Sequence, residues 1–260
     1  MADRSPAELA RAYDVIHARW PEVPAADDPW HLWLRESLDL ARDVRGKAVL
    51  EAGAGRGGFA LWLAEAGAPG TLVATDFAPV ALGMAARAAT GRPAPAGWPA
   101  ADVGLLPFAD ATFDTVVCCE TIEHVIDPPG VARELARVLR PGGRLYLTTP
   151  SYLNATGLYR GYLRLVGRRY DEGGQPLCHF TMLPLTIGWL RRAGLDIERV
   201  DGVGHYLPWP GRSPIRLAGL DARGPRAVLK WVALHSAIVA RRPAARLTTG
   251  EGPGSRGARE

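Results

Sequence analysis

Eleven residues constrain this chain more than any others: Val49-Leu50-Glu51-Ala52-Gly53-Ala54-Gly55-Arg56-Gly57-Gly58-Phe59. A short apolar strand over 47–51 runs into a glycine turn, and a helix opens near Gly58. Glycine permits the tight turn and lets the backbone approach a ligand where a Cβ would clash. The helix N-terminus behind it presents unbonded N–H groups. Two acids sharpen the pattern. Glu51 ends the strand, and Asp76 follows a second strand over 71–75. Asp76 suits a ribose diol, because one carboxylate accepts from two adjacent hydroxyls. Glu51 repels a pyrophosphate and suits a ligand carrying an ammonium or sulfonium. A dinucleotide dehydrogenase, or a nucleotide-free α/β domain with a tight turn, are the competing readings.

The E-x-G-x-G-x-G turn with Asp76 resembles motifs I and II of the class I S-adenosylmethionine (SAM) dependent methyltransferases. The run from Asp102 to Asp114, D-x-x-x-L-P-F-x-D-x-x-F-D, resembles the third and fourth motifs of their small-molecule members. A Leu-Arg-Pro-Gly-Gly turn at 139–143 is a further family feature. The resemblance spans roughly residues 45–205. It implies an α/β fold: a Rossmann-like, doubly wound, seven-stranded and mostly parallel sheet with helices on both faces and the last strand antiparallel. It also implies SAM as cofactor, held by Glu51, Gly53, Gly55, Asp76 and Phe77. Asp102 is then expected on the adenine amino group, the Val103 N–H on a ring nitrogen, and a main-chain carbonyl near Cys119 on the cofactor's amino group.

Residues 1–46 precede this core and read as a helical lid. Leu9, Ala12, Tyr13 and Ile16 recur at helical spacing. After a proline-rich break, Asp28-Pro29 opens a second helix with Asp28 as N-cap. Trp30, Trp33, Leu34 and Leu38 form its apolar stripe. Packing against the domain accounts for Trp33 and Leu38, whereas Tyr13, Trp30 and His31 are candidate lid contacts by family resemblance. The methyltransferase domain is expected over 47–242. Its helices fall at 58–66, 79–89, 131–139 and 183–193, and its later strands at 115–119, 144–149, 195–203 and 233–241. Alternation of strands and helices argues for a mostly parallel sheet covered on both faces. The Gly/Arg/Thr-rich stretch 243–260 reads as a disordered tail.

The chemistry concentrates after the fourth strand, in Glu120-Thr121-Ile122-Glu123-His124-Val125-Ile126-Asp127-Pro128. Open α/β sheets bind ligands at the carboxyl ends of their strands. One helical turn places Glu120, Glu123 and His124 on one side. Two carboxylates and an imidazole suit Mg²⁺, Mn²⁺, Fe²⁺ or Zn²⁺. E-x-x-E-H is similar to the metal motif of the ubiquinone-biosynthesis O-methyltransferases, which act on catechol-like rings. It is also similar to that of the small-RNA 3′-end 2′-O-methyltransferases, where a downstream histidine completes the site. His179 lies at a compatible place, yet it equally fits a feature of metal-free bacterial small-molecule enzymes. Three readings stay open for His124: a metal ligand that helps ionise an acceptor hydroxyl, a metal-free general base, or a loop histidine satisfied by Glu120 or Glu123. His179 is the second catalytic candidate and His205 a weaker one.

Methyl transfer needs the acceptor in line with the S–CH₃ bond at about 3 to 3.5 Å and a proton removed in time. No protein nucleophile is required, so Cys118 and Cys119 read as core residues. The insertion 151–182 is expected to cap the acceptor, with Tyr152, Tyr159, Tyr162, Tyr170 and Phe180 as walls among Arg160, Arg164, Arg168 and Arg169. Residues 203–209, with His205 and Trp209, form another expected wall. A plainer alternative is an amphipathic helix on Leu158, Tyr162 and Leu165 that covers the sheet edge or makes a dimer contact.

Composition narrows the partners. The net charge of +4 is nearly all arginine, since lysine occurs only at Lys47 and Lys230, and Arg, Ala, Gly and Pro are all heavily used. That pattern reflects a GC-rich coding sequence more than a nucleic-acid face. Apolar runs fall short of the roughly 18 residues that span a bilayer. No secretory signal is read in the first ten residues, and three cysteines make no disulfide framework. The expectation is a cytoplasmic monomer or homodimer, with no membrane and no nucleic acid as partner. It would methylate a small-molecule hydroxyl, as in bacterial secondary metabolism or quinone-type pathways. The alternatives are RNA 3′-end 2′-O-methylation, N- or C-methylation of a natural product, and SAM binding without turnover.

Overall fold

Strand β1 (Ala48–Ala52) is apolar on both faces apart from Glu51, which suits a strand covered on both sides. The computed structural model describes residues 5–19, 22–23, 29–168, 174–207, 215–217 and 226–244. In it, β1 lies between β2 (Thr71–Thr75) and β3 (Phe113–Cys119), both parallel to it. Strand β4 (Leu139–Pro150) runs parallel to β3. Beyond β4 come β8 (His235–Arg241), antiparallel, and β5 (Asp196–Val203), which pairs antiparallel with β8. The order is β2-β1-β3-β4-β8-β5. Two short strands, β6 (Tyr206–Leu207) and β7 (Ile215–Arg216), form a separate ribbon.

Neighbouring residues of one strand point to opposite faces. Leu50 and Val116 pack in the core under α5 (Pro128–Val138) and α7 (Leu183–Arg192). Val49 and Val117 pack with α2 (Pro29–Ser37) and α3 (Gly58–Gly67). Helices α1 (Pro6–Arg19) and α4 (Pro79–Ala88) meet beside β2, α6 (Ala155–Leu165) follows β4, and a short α8 (Arg226–Leu229) precedes β8.

Three local expectations are corrected. The sheet has six strands among the described residues rather than seven. The segment beside β2 makes only two isolated parallel bridges, Val73 with Gly97 and Asp76 with Ala100. Pro93, Pro95 and Pro99 interrupt it, and proline has no N–H for a ladder. Helix α5 begins at Pro128, three residues early, because proline is favoured in a first turn. Strand β4 starts at Leu139 instead of 144, since Gly142 and Gly143 exchange main-chain bonds with Arg242. Asp28, Arg169, Tyr170, Trp209 and residues 245–260 lie outside the described residues.

A π turn (Leu40–Val44) carries the chain into β1 and buries Asp43. Its carboxylate accepts from the Tyr146 hydroxyl at 2.6 Å, from Arg42 at 2.7 and 2.9 Å, and from Arg144 at 3.2 Å. These bonds pin the N-terminal segment to β4. Burial pushes the Asp43 carboxyl up, but the bonds from Arg42 and Tyr146 outweigh it and hold it below its ordinary value. Asp43→Asn should therefore destabilise the fold by about 3 kcal/mol at pH 7. A depressed carboxyl stabilises above its unfolded pKa and loses that contribution as pH falls through its folded one. The difference between wild type and variant should shrink in acid, as urea unfolding at pH 7 and pH 3 will measure.

Candidate functional site

The carboxyl ends of β1 to β4 open on a cavity of about 570 Å³, within the range of small-ligand pockets. On one side lies the glycine turn, with Gly53 and Gly55 at φ +79° and +52°. A Cβ on Gly53 would sit 2.3 Å from the Thr121 hydroxyl oxygen, so no side chain fits there. Asp76 ties this turn to the end of β2. Its two carboxylate oxygens accept the Gly55 N–H at 2.8 Å and the Ala78 N–H at 2.9 Å. Each oxygen keeps a lone pair for a ligand hydroxyl. Burial raises the Asp76 pKa more than those N–H bonds lower it.

Glu51 is 2 % exposed, and its Oε2 has no hydrogen-bond partner. Burial first, and the nearby Asp76 charge second, push its pKa up to about 8. A buried acceptor without a donor is costly until a donor arrives. An open glycine cradle, an acid with a free lone pair on each oxygen and an unfilled buried carboxyl together fit SAM. Phe77 lines the same cavity. Asp102 is exposed and accepts the Gly104 N–H at 2.8 Å, while the Val103 side chain packs in the core. The Cys119 carbonyl accepts the Thr121 hydroxyl at 2.9 Å. Burial holds the Cys118 and Cys119 thiols far above their ordinary pKa, so neither is a nucleophile.

The opposite side carries the residues expected to bind metal. They do not converge. Glu120 takes a left-handed backbone, φ +46°, uncommon for a residue with a Cβ. Only Ile122–His124 form a turn, of 3₁₀ type. One continuous helical face is therefore lost, and each side chain finds its own partner. Glu120 Oε2 accepts from His235 Nδ1 at 2.9 Å. Burial raises the Glu120 pKa, but the His235 charge and hydrogen bond outweigh it and the net shift is downward; His235 moves up for the converse reason. Glu123 Oε2 accepts the Thr149 hydroxyl at 3.0 Å. His124 Nδ1 donates to the Leu177 carbonyl at 2.7 Å, and its Nε2 lies 3.6 Å from Glu123 Oε1. His179 Nε2 donates to the Val125 carbonyl at 2.7 Å. Among the described residues no three His, Cys, Asp or Glu side chains gather to hold a metal. Glu120, Glu123, His124 and His179 as arranged do not fit one.

Helix α1 closes the cavity. Tyr13 donates to the Leu177 carbonyl at 3.0 Å, and its ring lies 5.1 Å from Phe77 and 5.8 Å from His124. His31 instead packs on Phe59, and the Trp30 side chain lies outside the described residues. Tyr152 stacks on Phe180 at 5.0 Å, with the Arg160 guanidinium 4.5 Å above the Tyr152 ring. Tyr152 also lines a second, mostly apolar cavity of about 700 Å³ with Leu153, Phe180, Met182 and His205. His205 is buried and donates to the Leu229 carbonyl at 3.0 Å. Tyr159 and Tyr162 are exposed on α6 and line neither cavity. Sequence reasoning missed His235, which faces the first cavity from the head of β8, 115 positions from Glu120. A lone histidine opening the last strand was the only signal for it. Thr121 and Thr149 were likewise unmarked.

A model of the family described as "Methyltransferase domain" matches residues 50–147. A ubiquinone biosynthesis O-methyltransferase of Xanthomonas oryzae pv. oryzae is 32% identical over 210 residues, covering 77% of this chain and 85% of that one. The chain belongs to the class I SAM-dependent methyltransferases. A SAM-dependent methyltransferase from Mesorhizobium loti shares its fold, with TM-score 0.59 and 22% identity over 83% of this chain and 99% of that one. So does the cyclase SpnF, with TM-score 0.60 and 19% identity over 92% and 97%. Likeness at that identity concerns the fold alone.

Glu51 gives this methyltransferase a specific pH signature. The folded chain holds a proton up to about pH 8 that the unfolded chain releases near 4.5. Ligand-free stability should therefore fall as pH rises across that window. Glu51→Gln should remove this dependence, giving a higher melting temperature than wild type at pH 9. SAM affinity should rise with pH in wild type and stay flat in the variant, by titration calorimetry.

Proposed function

We propose that this methyltransferase moves a methyl group from SAM to a hydroxyl oxygen of a small, largely apolar acceptor. The observation that carries the reading is His124, at the wall of the cavity that also holds the glycine turn and Asp76. Bound SAM supplies an electrophilic methyl on its sulfonium. Gly53, Gly55, Asp76 and Glu51 hold the cofactor, and Asp102 and the Val103 N–H meet the adenine end. Because His124 Nδ1–H is committed to the Leu177 carbonyl, the neutral ring keeps its lone pair at Nε2. That nitrogen takes the acceptor proton. The resulting imidazolium is stabilised by buried Glu123 at 3.6 Å. His179 positions this pair through its N–H to the Glu123 carbonyl at 2.8 Å.

Tyr13 and Tyr152 exclude water from the reacting atoms, and the segment 1–46 acts as the lid. The apolar lining of the second cavity supports a small-molecule acceptor over an RNA end, with Phe180 and His205 as its walls. The name of the Xanthomonas relative supports oxygen as the methylated atom.

The test is transfer of labelled methyl from SAM to a panel of phenols, catechols and amines. Phenol or catechol ethers should form, without a requirement for added Mg²⁺ or Mn²⁺. His124→Ala should lower kcat by about 10²- to 10⁴-fold with SAM affinity kept. Transfer to amines alone, or full activity in His124→Ala, would sink the proposal.

A further inference from the structure

Glu120 uses little of its bonding capacity. A carboxylate offers about four lone-pair sites. Oε2 accepts from His235 Nδ1 at 2.9 Å, and Oε1 is buried with no hydrogen-bond partner among the described residues. The side chain is 19% exposed, and Glu120 and His235 both line the cavity of about 570 Å³. Its place is fixed from both ends. The Glu120 N–H donates to the Thr148 carbonyl at 3.0 Å. His235 opens β8, an inner strand, opposite Pro150 of β4 and Val203 of β5. A left-handed residue with a Cβ persists only where its surroundings enforce it, and here the enforced place is the cavity wall.

The other buried carboxyl with an unpaired oxygen, Glu51, belongs to the glycine side, near Asp76. It answers the cofactor. Glu120 stands on the opposite wall, in the loop that carries His124. The donor it lacks is therefore one that the acceptor brings.

Charge selects the kind of donor. Among the described residues the lining holds Asp76, Glu120 and Glu123 with His17, His124 and His235, and neither lysine nor arginine. Arg160, 4.5 Å from the Tyr152 ring centre, does not line the cavity. An anionic group on the acceptor meets carboxylates with no permanent cation beside them. An ammonium meets a charge-assisted acceptor.

We infer that Glu120 is the residue that selects the acceptor, taking a hydrogen bond from an amine nitrogen carried near the methylated hydroxyl. The preferred substrates are then amine-bearing phenols and alcohols, and hydroxy acids are disfavoured. This rests on the proposed transfer to oxygen and names the acceptor class for that same site.

The test is a binding series of four phenols of similar shape, by titration calorimetry with S-adenosylhomocysteine bound and EDTA present. Their ortho groups are aminomethyl, hydroxymethyl, methyl and carboxylate. 2-(Aminomethyl)phenol should bind about tenfold or more tightly than 2-methylphenol, with 2-(hydroxymethyl)phenol between them and salicylate weakest. Glu120→Gln should lower the preference for the aminomethyl compound by about tenfold, with affinity for 2-methylphenol and for SAM kept. Glutamine matches glutamate in shape, and kept SAM affinity reports an intact site. An aminomethyl compound that binds no tighter than 2-methylphenol in wild type overturns the inference, as does salicylate binding tightest, or no saturable binding of any of the four. So does a Glu120→Gln variant that melts as wild type but loses SAM affinity, because the unpaired oxygen then serves the cofactor. These affinities are read without methyl transfer, so their failure is distinguishable from failure of the proposed activity.

Discussion

The site depends on one carboxylate. Asp76 ends β2 and spends both oxygens on main-chain N–H groups, from Gly55 in the glycine turn and Ala78 at the start of α4. The Thr75 carbonyl beside it accepts from Gly53 and Ala54. Three consecutive N–H groups of the β1–α3 turn are thus fastened to the end of the neighbouring strand. In a buried place these bonds have no water to replace them, and a shift of the turn leaves several polar groups unpaired at once. With the turn fixed, Thr121 has one place to sit, against Gly53 where no Cβ fits. The loop after β3, with Glu120, Glu123 and His124, is set by that contact. One tie between two strands so positions both walls of the cavity.

Much of the fold was legible because its signals are local. The alternation of Val49 with Leu50 and of Val116 with Val117 assigns opposite faces of the sheet. The glycine turn, Asp76 and the helix starts at Gly58 and Pro79 came directly from residue type and spacing. What was not legible was non-local or depended on one backbone torsion. Glu120, Glu123 and His124 stand at helical spacing and read as one face. The left-handed backbone at Glu120 takes it out of the turn, toward a histidine 115 positions further along the chain. Spacing cannot report a torsion, and it carries nothing about His235. The seventh strand implied by the resemblance is not among the described residues; beside β2, Pro93, Pro95 and Pro99 interrupt the adjoining segment.

The charge around the cavity argues for its ligand independently of the fold. Glu120 is answered by His235, and burial keeps Glu51 protonated to about pH 8. Asp76, Glu120 and Glu123 line the cavity with His124 and His235, and Glu51 is buried near Asp76. Such an enclosure is expensive to leave without a cation and attracts one that also brings donors. A ligand that arrives with a sulfonium and an ammonium meets both demands. The same ligand leaves, after giving up a methyl group, with one positive charge fewer. By charge alone, a site lined with acids would hold the demethylated product less strongly than the cofactor. Three buried acids and a partly buried Glu120 surround this space, and such a reaction needs no protein nucleophile because the reactive bond belongs to the cofactor.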